Sequence, residues 1–389
     1  MNLVAHKSRE NKTPLREQGK VCLSEQETKE LIEYELVSTC ARVDLTHERC
    51  KRIRELAHRE VRWGLVRRLG HIHGILPLIY NGLSTCKAAL PQRMQEEIER
   101  HRRGIRIHNT FLIQELGRLV EHFAARGIPM LALKGPVLAQ VAYGDLQLRR
   151  YSDLDLLIPE EQFSAAENAL HAMGYRGEHD RRKIQDWRKH LKRVLAGQCR
   201  FGRPNSPFLV DLHTRTMPPG YAVQADFELF WKRSIGVKLG EVEVRGFAAE
   251  DLLVILCFHG VKNQWGALKH VVDIAEHIRA HPDLDWRNVV QQARMMRGER
   301  VLKLGLQLAR DIAEVALPFG VQKWIESEPM DDIASLMKTY LRKRHQKSEL
   351  DYGERVRLQL ATKDTLADQL RYGGFSAVQH FWSKFLQPQ

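Results

Sequence analysis

The run Ser152-Asp153-Leu154-Asp155-Leu156-Leu157-Ile158 decides the fold. Aspartate is depleted in strands, so two of them opening an apolar run require a reason. Strand side chains alternate between faces, so Asp153 and Asp155 share one face while Leu154, Leu156 and Ile158 point to the other, toward a core. Phe208-Leu209-Val210-Asp211-Leu212-His213 repeats the device, with Phe208, Val210 and Leu212 on an apolar face and Asp211 beside His213 on the opposite one. If the two strands are neighbours, three carboxylates meet. Carboxylates that close repel one another unless a cation lies between them, and hard oxygen donors suit Mg²⁺ or Mn²⁺. A D-x-D alone is commonly a strand start or a turn; the third carboxylate in matching alternation makes the metal reading competitive.

Upstream, the apolar run Ile128 to Leu133 leads into Lys134-Gly135-Pro136 and the helical VLAQVAY. Glycine permits close backbone approach and proline is favoured at the first helical position. A helix N-terminus with free N–H groups therefore follows a strand, which is a phosphate cradle, and Lys134 adds positive charge there. The alternative is a plain strand–helix turn with a solvent lysine. Arg149 precedes Asp153 by four residues and could reach the same phosphates.

Around this centre the chain divides by pattern. Residues 1–22 are polar, without periodicity, and read as a flexible N-terminus. Helical periodicity dominates 23–124, broken near Gly74–Pro77 and Pro91. Short apolar runs alternating with helical signals over 125–247 indicate a compact α/β (α+β) unit, its strands being Ile128–Leu133, Tyr151–Ile158, Phe208–His213 and a shorter one at Val242–Val244. Its helices are Pro136–Tyr143 and Glu160–Met173. Residues 248–389 read as a C-terminal helical domain. The expected architecture is a small mixed sheet flanked by helical regions on both sides.

Composition sets the outer bounds. The 389 residues are 43% hydrophobic and 28% charged, ordinary values for a folded chain. The longest apolar stretch, Leu252 to Phe258, is far too short to cross a bilayer. MNLVAHKSREN at the N-terminus has no apolar signal region, so a cytoplasmic protein is expected. Six cysteines without paired spacing fit reduced thiols better than a zinc site or a disulfide framework. A net charge of +13 favours a phosphate-bearing partner: a nucleotide, another phosphorylated small molecule or RNA. Walker-type, serine-hydrolase and zincin motifs are absent from the sequence.

Together, LALKGPVLAQVAYGDLQLRRYSDLDLLIPEEQF (residues 131–163) resembles the signature of an uncharacterised bacterial nucleotidyltransferase family within the DNA polymerase β superfamily. The matching positions are Lys134, Gly135, Tyr143, Gly144, Asp145, Arg149, Asp153 and Asp155. The likeness continues through Gly174-Tyr175, the strand with Asp211 and His213, Glu250-Asp251-Leu252-Leu253, His259-Gly260-Val261-Lys262, Trp265, Leu268 and Asp273. Upstream, WGLVRRLGHIHGILPLIY (63–80) is similar to a family helix. The resemblance spans about residues 50–340. It implies metal-dependent transfer of a nucleoside monophosphate from an NTP, with Asp153, Asp155 and Asp211 as the Mg²⁺- or Mn²⁺-binding carboxylates and Lys134, Gly135 and Arg149 around the triphosphate. One departure stands: Lys134-Gly135 occupies the place of the Gly-Ser or Gly-Gly usual in the wider superfamily. The acceptor does not carry over.

His259 and Lys262 lie three apart on a helix and share a face, either lining the cleft or acting as a core histidine and a solvent lysine. His213 reads first as a structural hydrogen-bond partner and second as a residue that orients a ligand. Lys269 and Asp273 have the spacing of an i,i+4 pair. Arg181–Arg193 holds seven basic residues with Trp187 among them; it reads as a solvated or gating face, with RNA contact as the alternative. A small-molecule or peptide acceptor in a bounded pocket is favoured over RNA, and a catalytically silent nucleotide-binding protein is the remaining option.

Overall fold

The computed structural model describes residues 25–177, 197–204, 206–217 and 227–374. The tail 1–22 and the basic stretch 181–193 lie outside the described residues.

Seven strands hydrogen-bond into one mixed sheet: β1 (Leu131–Ala132), β2 (Asp153–Leu157), β3 (Arg176–Gly177), β4 (Gln198–Gly202), β5 (Leu209–His213), β6 (Ile235–Leu239) and β7 (Val242–Gly246). Their spatial order is β3-β4-β5-β2-β1-β7-β6. β2 runs parallel to β5 and antiparallel to β1, and β5 is flanked on its other side by antiparallel β4. The four anticipated strands are all in place, whereas β3, β4 and β6 had no clear sequence signal. β4 (Gln-Cys-Arg-Phe-Gly) buries only Cys199 and Phe201, and β6 is an edge strand carrying Gly236 and Lys238.

Strand alternation sorts the two faces of the sheet. Leu154, Leu156, Val210 and Leu212 point to one side and pack with Leu112, Leu116, Leu119 and Phe123 of helix α5 (Gln92–Ala124) and with helix α7 (Phe163–Ala172). Those α5 residues recur at helical spacing, so a single stripe of the helix meets the sheet. Leu131, Leu133 and Leu157 point to the opposite side and join a larger apolar cluster.

That larger cluster fuses both helical regions. It contains residues of α1 (Glu25–Cys40), α2 (His47–Ala57), α3 (Trp63–His73) and α4 (Leu76–Thr85) together with α9 (Ala249–Lys262), α10 (Leu268–Ala280), α11 (Trp286–Met295), α12 (Glu299–Ala313), α13 (Phe319–Glu326), α14 (Asp331–Arg342) and α15 (Tyr352–Ala361). α9 is apolar nearly all round, and Asp251 through Phe258 are all buried, the pattern of a central core helix. Polar ties cross between the two regions: His73 Nδ1 accepts from the Leu268 N–H at 3.2 Å. Helix α6 (Pro136–Tyr143), with Pro136 at its first turn, leaves β1 and packs on α10. A short α8 (Phe227–Arg233) precedes β6.

The expectation of six reduced cysteines is corrected. Cys50 of α2 and Cys86, at the end of α4, form a disulfide with Cα atoms 4.9 Å apart. The two helices bring together positions 36 apart in sequence, which no local spacing reveals. Cys40, Cys199 and Cys257 are buried and form no disulfide among the described residues. No helix among the described residues is long and apolar enough to cross a membrane.

Candidate active site

The β2–β5 register sets Asp155 directly opposite Asp211 and Leu157 opposite His213. Asp153, Asp155, Asp211 and His213 therefore share the face opposite α5, beneath α9 and α10. A polar cavity of about 450 Å³ opens over them.

The carboxylates differ in their surroundings. Asp155 Oδ1 lies 2.9 Å from His213 Nε2, and Oδ2 lies 3.3 Å from Lys134 Nζ. Burial raises the Asp155 carboxyl, but Lys134 and the His213 contact outweigh it and hold it well below the usual carboxylate range. Asp153 is pushed up, first by burial and then by the charges of Asp155 and Asp211. Asp211 is gripped from β4: Arg200 Nε donates to Oδ1 and Nη2 to Oδ2, each at 2.7 Å. The same Nη2 is 3.9 Å from Asp153 Oδ2.

The turn after β1 supplies the anion side. Gly135 stands at φ 61° and ψ −130° as the residue before α6, a left-handed φ open to glycine at little expense. Gly135 and Lys134 both line the cavity, immediately before the N-terminus of α6.

The C-terminal helices form the opposite wall. Lys262 Nζ donates to Gln198 Oε1 at 2.9 Å, and burial followed by the charge of Lys134 draws its pKa down. His259 lines the cavity as a neutral ring, its basicity suppressed by burial and then by Lys134, 5.3 Å from the ring of His270. Lys269 also lines the cavity, its stem lying against Gly74, whose φ of 68° ends α3.

Arg149 lines the same cavity, but its guanidinium is committed elsewhere. Nε and Nη2 donate to Asp273 Oδ1 and Oδ2 at 2.8 and 3.0 Å, and Tyr143 Oη donates to Oδ1 at 2.6 Å. Its partner lies 124 residues away in sequence. Asp273 thus pairs with Arg149 rather than forming the simple i,i+4 ion pair with Lys269.

All eight anticipated site residues line this cavity: Lys134, Gly135, Arg149, Asp153, Asp155, Asp211, His259 and Lys262. Sequence reasoning missed Arg200, because β4 carried no strand signal, and His71 and Lys269 as further lining residues. His213 was weighed for its place beside Asp211, and its ring in fact contacts Asp155.

The profile of a family described as uncharacterised nucleotidyltransferases matches residues 59–314, about two thirds of the chain. The protein belongs to this family. As a nucleotidyltransferase it is a transferase. None of the curated proteins matches the chain. Among solved structures it is similar to the solution structure of the antibiotic-resistance factor ANT(2'')-Ia, at 16% identity over 48% of this chain and 91% of that one, with a TM-score of 0.33.

For a member of the nucleotidyltransferase family, the donor set fits a divalent cation. Asp155, Asp211 and His213 each offer one ligand atom, all within 4.8 Å of one another. The two carboxylate oxygens suit a hard ion such as Mg²⁺ or Mn²⁺, and the imidazole moves the set toward softer divalent ions.

Proposed function

We propose that the protein is a divalent-metal-dependent enzyme that transfers a nucleoside monophosphate from an NTP to a hydroxyl of a small-molecule or peptide acceptor. The observation that carries this is the register placing Asp155 opposite Asp211 on one face of the sheet, under a cavity walled by cations. Asp153, Asp155 and Asp211 are the proposed metal-binding carboxylates, with His213 as a further donor. A bound Mg²⁺ or Mn²⁺ would neutralise the carboxylates and polarise the reacting phosphate.

The chain's own groups do the rest. Lys134, the Gly135 amide and the α6 N-terminus receive the triphosphate. Lys262, on α9, faces it from the other wall, where its charge is drawn toward Asp155 and Asp211. The acceptor oxygen attacks the α-phosphorus, the bond to the β-phosphate oxygen breaks, and pyrophosphate leaves. The hydroxyl proton passes to Asp211, the buried carboxylate of β5. Arg149 acts through Asp273, holding α6 and α10 in place, rather than as a phosphate ligand. A cavity of about 450 Å³ suits a nucleotide-sized ligand with the acceptor at its mouth. A need for NTP supports a cytoplasmic reaction, where the Cys50–Cys86 bond would face a reducing pool. The RNA-acceptor alternative rests on 181–193, outside the described residues.

The test is NTP-dependent mass gain on candidate acceptors, followed by mass spectrometry with each NTP, with Mg²⁺ or Mn²⁺ and with EDTA. Transfer that persists in EDTA would contradict the reading. For the phosphate side, Lys134→Ala should largely abolish the thermal shift given by NTP. A shift equal to that of the wild type would return Lys134 to a purely structural role beside Asp155.

A further inference from the structure

Arg200 stands directly opposite Asp211 across the β4–β5 pair. Both Asp211 oxygens accept from its guanidinium at 2.7 Å. A divalent ion would need to sit about 2.1 Å from one of those same oxygens. Two cations on one small carboxylate repel and crowd each other, so the guanidinium is a rival to a metal at Asp211. The partners differ in freedom: the Arg200 side chain is 38% exposed and reaches the cavity, whereas that of Asp211 is 5% exposed on a central strand. If one of them moves, it is the long arginine side chain.

Three other cations that line the cavity have partners of their own. Lys134 lies on Asp155, Lys262 on Gln198 and Arg149 on Asp273. Arg200 alone among these sits on the carboxylate proposed for both metal and proton, with Asp153 3.9 Å from its Nη2. A guanidinium released there needs a new anion, and its planar fork matches a phosphate as well as a carboxylate.

We propose that Asp211 exchanges Arg200 for the divalent ion when nucleotide binds, and that the released guanidinium takes a phosphate of the nucleotide. The proposal rests on the preceding reading that these carboxylates hold metal. Arg200 then holds the apo site closed to metal, and nucleotide and metal bind cooperatively. Linkage requires each to tighten the other by the same factor.

The experiment is Mn²⁺ titration of the full chain by calorimetry, with and without an NTP analogue carrying a non-hydrolysable α–β bridge. Without nucleotide, Arg200→Gln should bind Mn²⁺ about tenfold or more tightly than the wild type. The analogue should tighten Mn²⁺ binding to the wild type by a larger factor than to Arg200→Gln, in which only the direct metal–phosphate contact couples the two ligands. Arg200→Lys, which keeps the charge but loses the two-point grip, should fall between them and serves if the glutamine variant does not fold. Lys269→Gln removes a cavity charge that touches no carboxylate oxygen within bonding distance, and should alter Mn²⁺ affinity far less. Affinity unchanged or weakened in both Arg200 variants overturns the exchange, as does coupling in Arg200→Gln equal to that of the wild type. Asp155→Asn separates the two claims. If it binds Mn²⁺ as the wild type does, the metal reading itself fails; if it loses Mn²⁺ while the Arg200 variants match the wild type, only the exchange fails.

Discussion

Replacing Arg149 by Met distinguishes a phosphate ligand from a structural counter-ion. The Arg149 side chain is 11% exposed, and its two donated hydrogen bonds end on Asp273 of α10, which is 1% exposed and also accepts from Tyr143 of α6. Burial alone would raise the Asp273 carboxyl; Arg149 is the largest of the influences that hold it below its usual range, ahead of the Tyr143 bond and Lys269. Removing Arg149 leaves a buried carboxylate with the Tyr143 hydroxyl at 2.6 Å and the neighbouring charge of Lys269. Breaking one side of a buried pair costs roughly 3–5 kcal/mol, and the remaining partners here argue for the lower end. The expected result is a midpoint of thermal unfolding lowered by roughly 5–10 °C. Arg149→Met combined with Asp273→Leu should be less destabilised than the sum of the single variants, because no uncompensated charge remains. The assay is urea and thermal unfolding at neutral pH for the singles and the double, beside NTP titration of each. An Arg149→Met protein that unfolds with the wild type yet loses NTP binding would refute the structural role and restore the phosphate role.

Two further outcomes follow from local geometry and from buried histidines. Gly135→Ala places a side chain at φ 61° and should destabilise by about 1–2 kcal/mol, with NTP binding weakened more than Mn²⁺ binding; equal binding of NTP would contradict the cradle. His73, His270 and His277 are each drawn from 6.5 to about 3 by burial first, and then by Arg344, Lys269 and His281 respectively. Their folded pKa values are depressed, so the unfolded chain binds protons first. The stability they contribute is full above about pH 6.5 and is lost as pH falls toward 3. At pH 5.5 each loses roughly 1.4 kcal/mol, of the order of 4 kcal/mol for the three. Equal unfolding midpoints in urea at pH 7.5 and 5.5 would contradict this.

What the sequence discloses is what strand and helix periods encode. The alternation in Asp153–Leu157 and Leu209–His213 alone sets three aspartates on matching faces, and Pro136 marks the start of α6. The order of the strands was not legible, since nothing in β2 states that β5 lies on one side and β1 on the other. β4 escaped because its five residues bury only two side chains, and with it went Arg200, the closest partner of Asp211. Arg149 illustrates a different limit. Its residue type and position suggested a phosphate, but its partner Asp273 sits on a helix reached only through the tertiary fold. The Cys50–Cys86 bond escaped for the same reason.

The most direct test of the proposed three-carboxylate metal site is NTP turnover by Asp155→Asn, because Asp155 holds contacts to both His213 and Lys134 and faces Asp211 in register. Pyrophosphate release in Mg²⁺ or Mn²⁺ is measured beside the circular dichroism of the same preparation. The expected result is a loss on the order of a thousandfold or more with the fold retained. A folded Asp155→Asn enzyme that turns over NTP at the wild-type rate would contradict it.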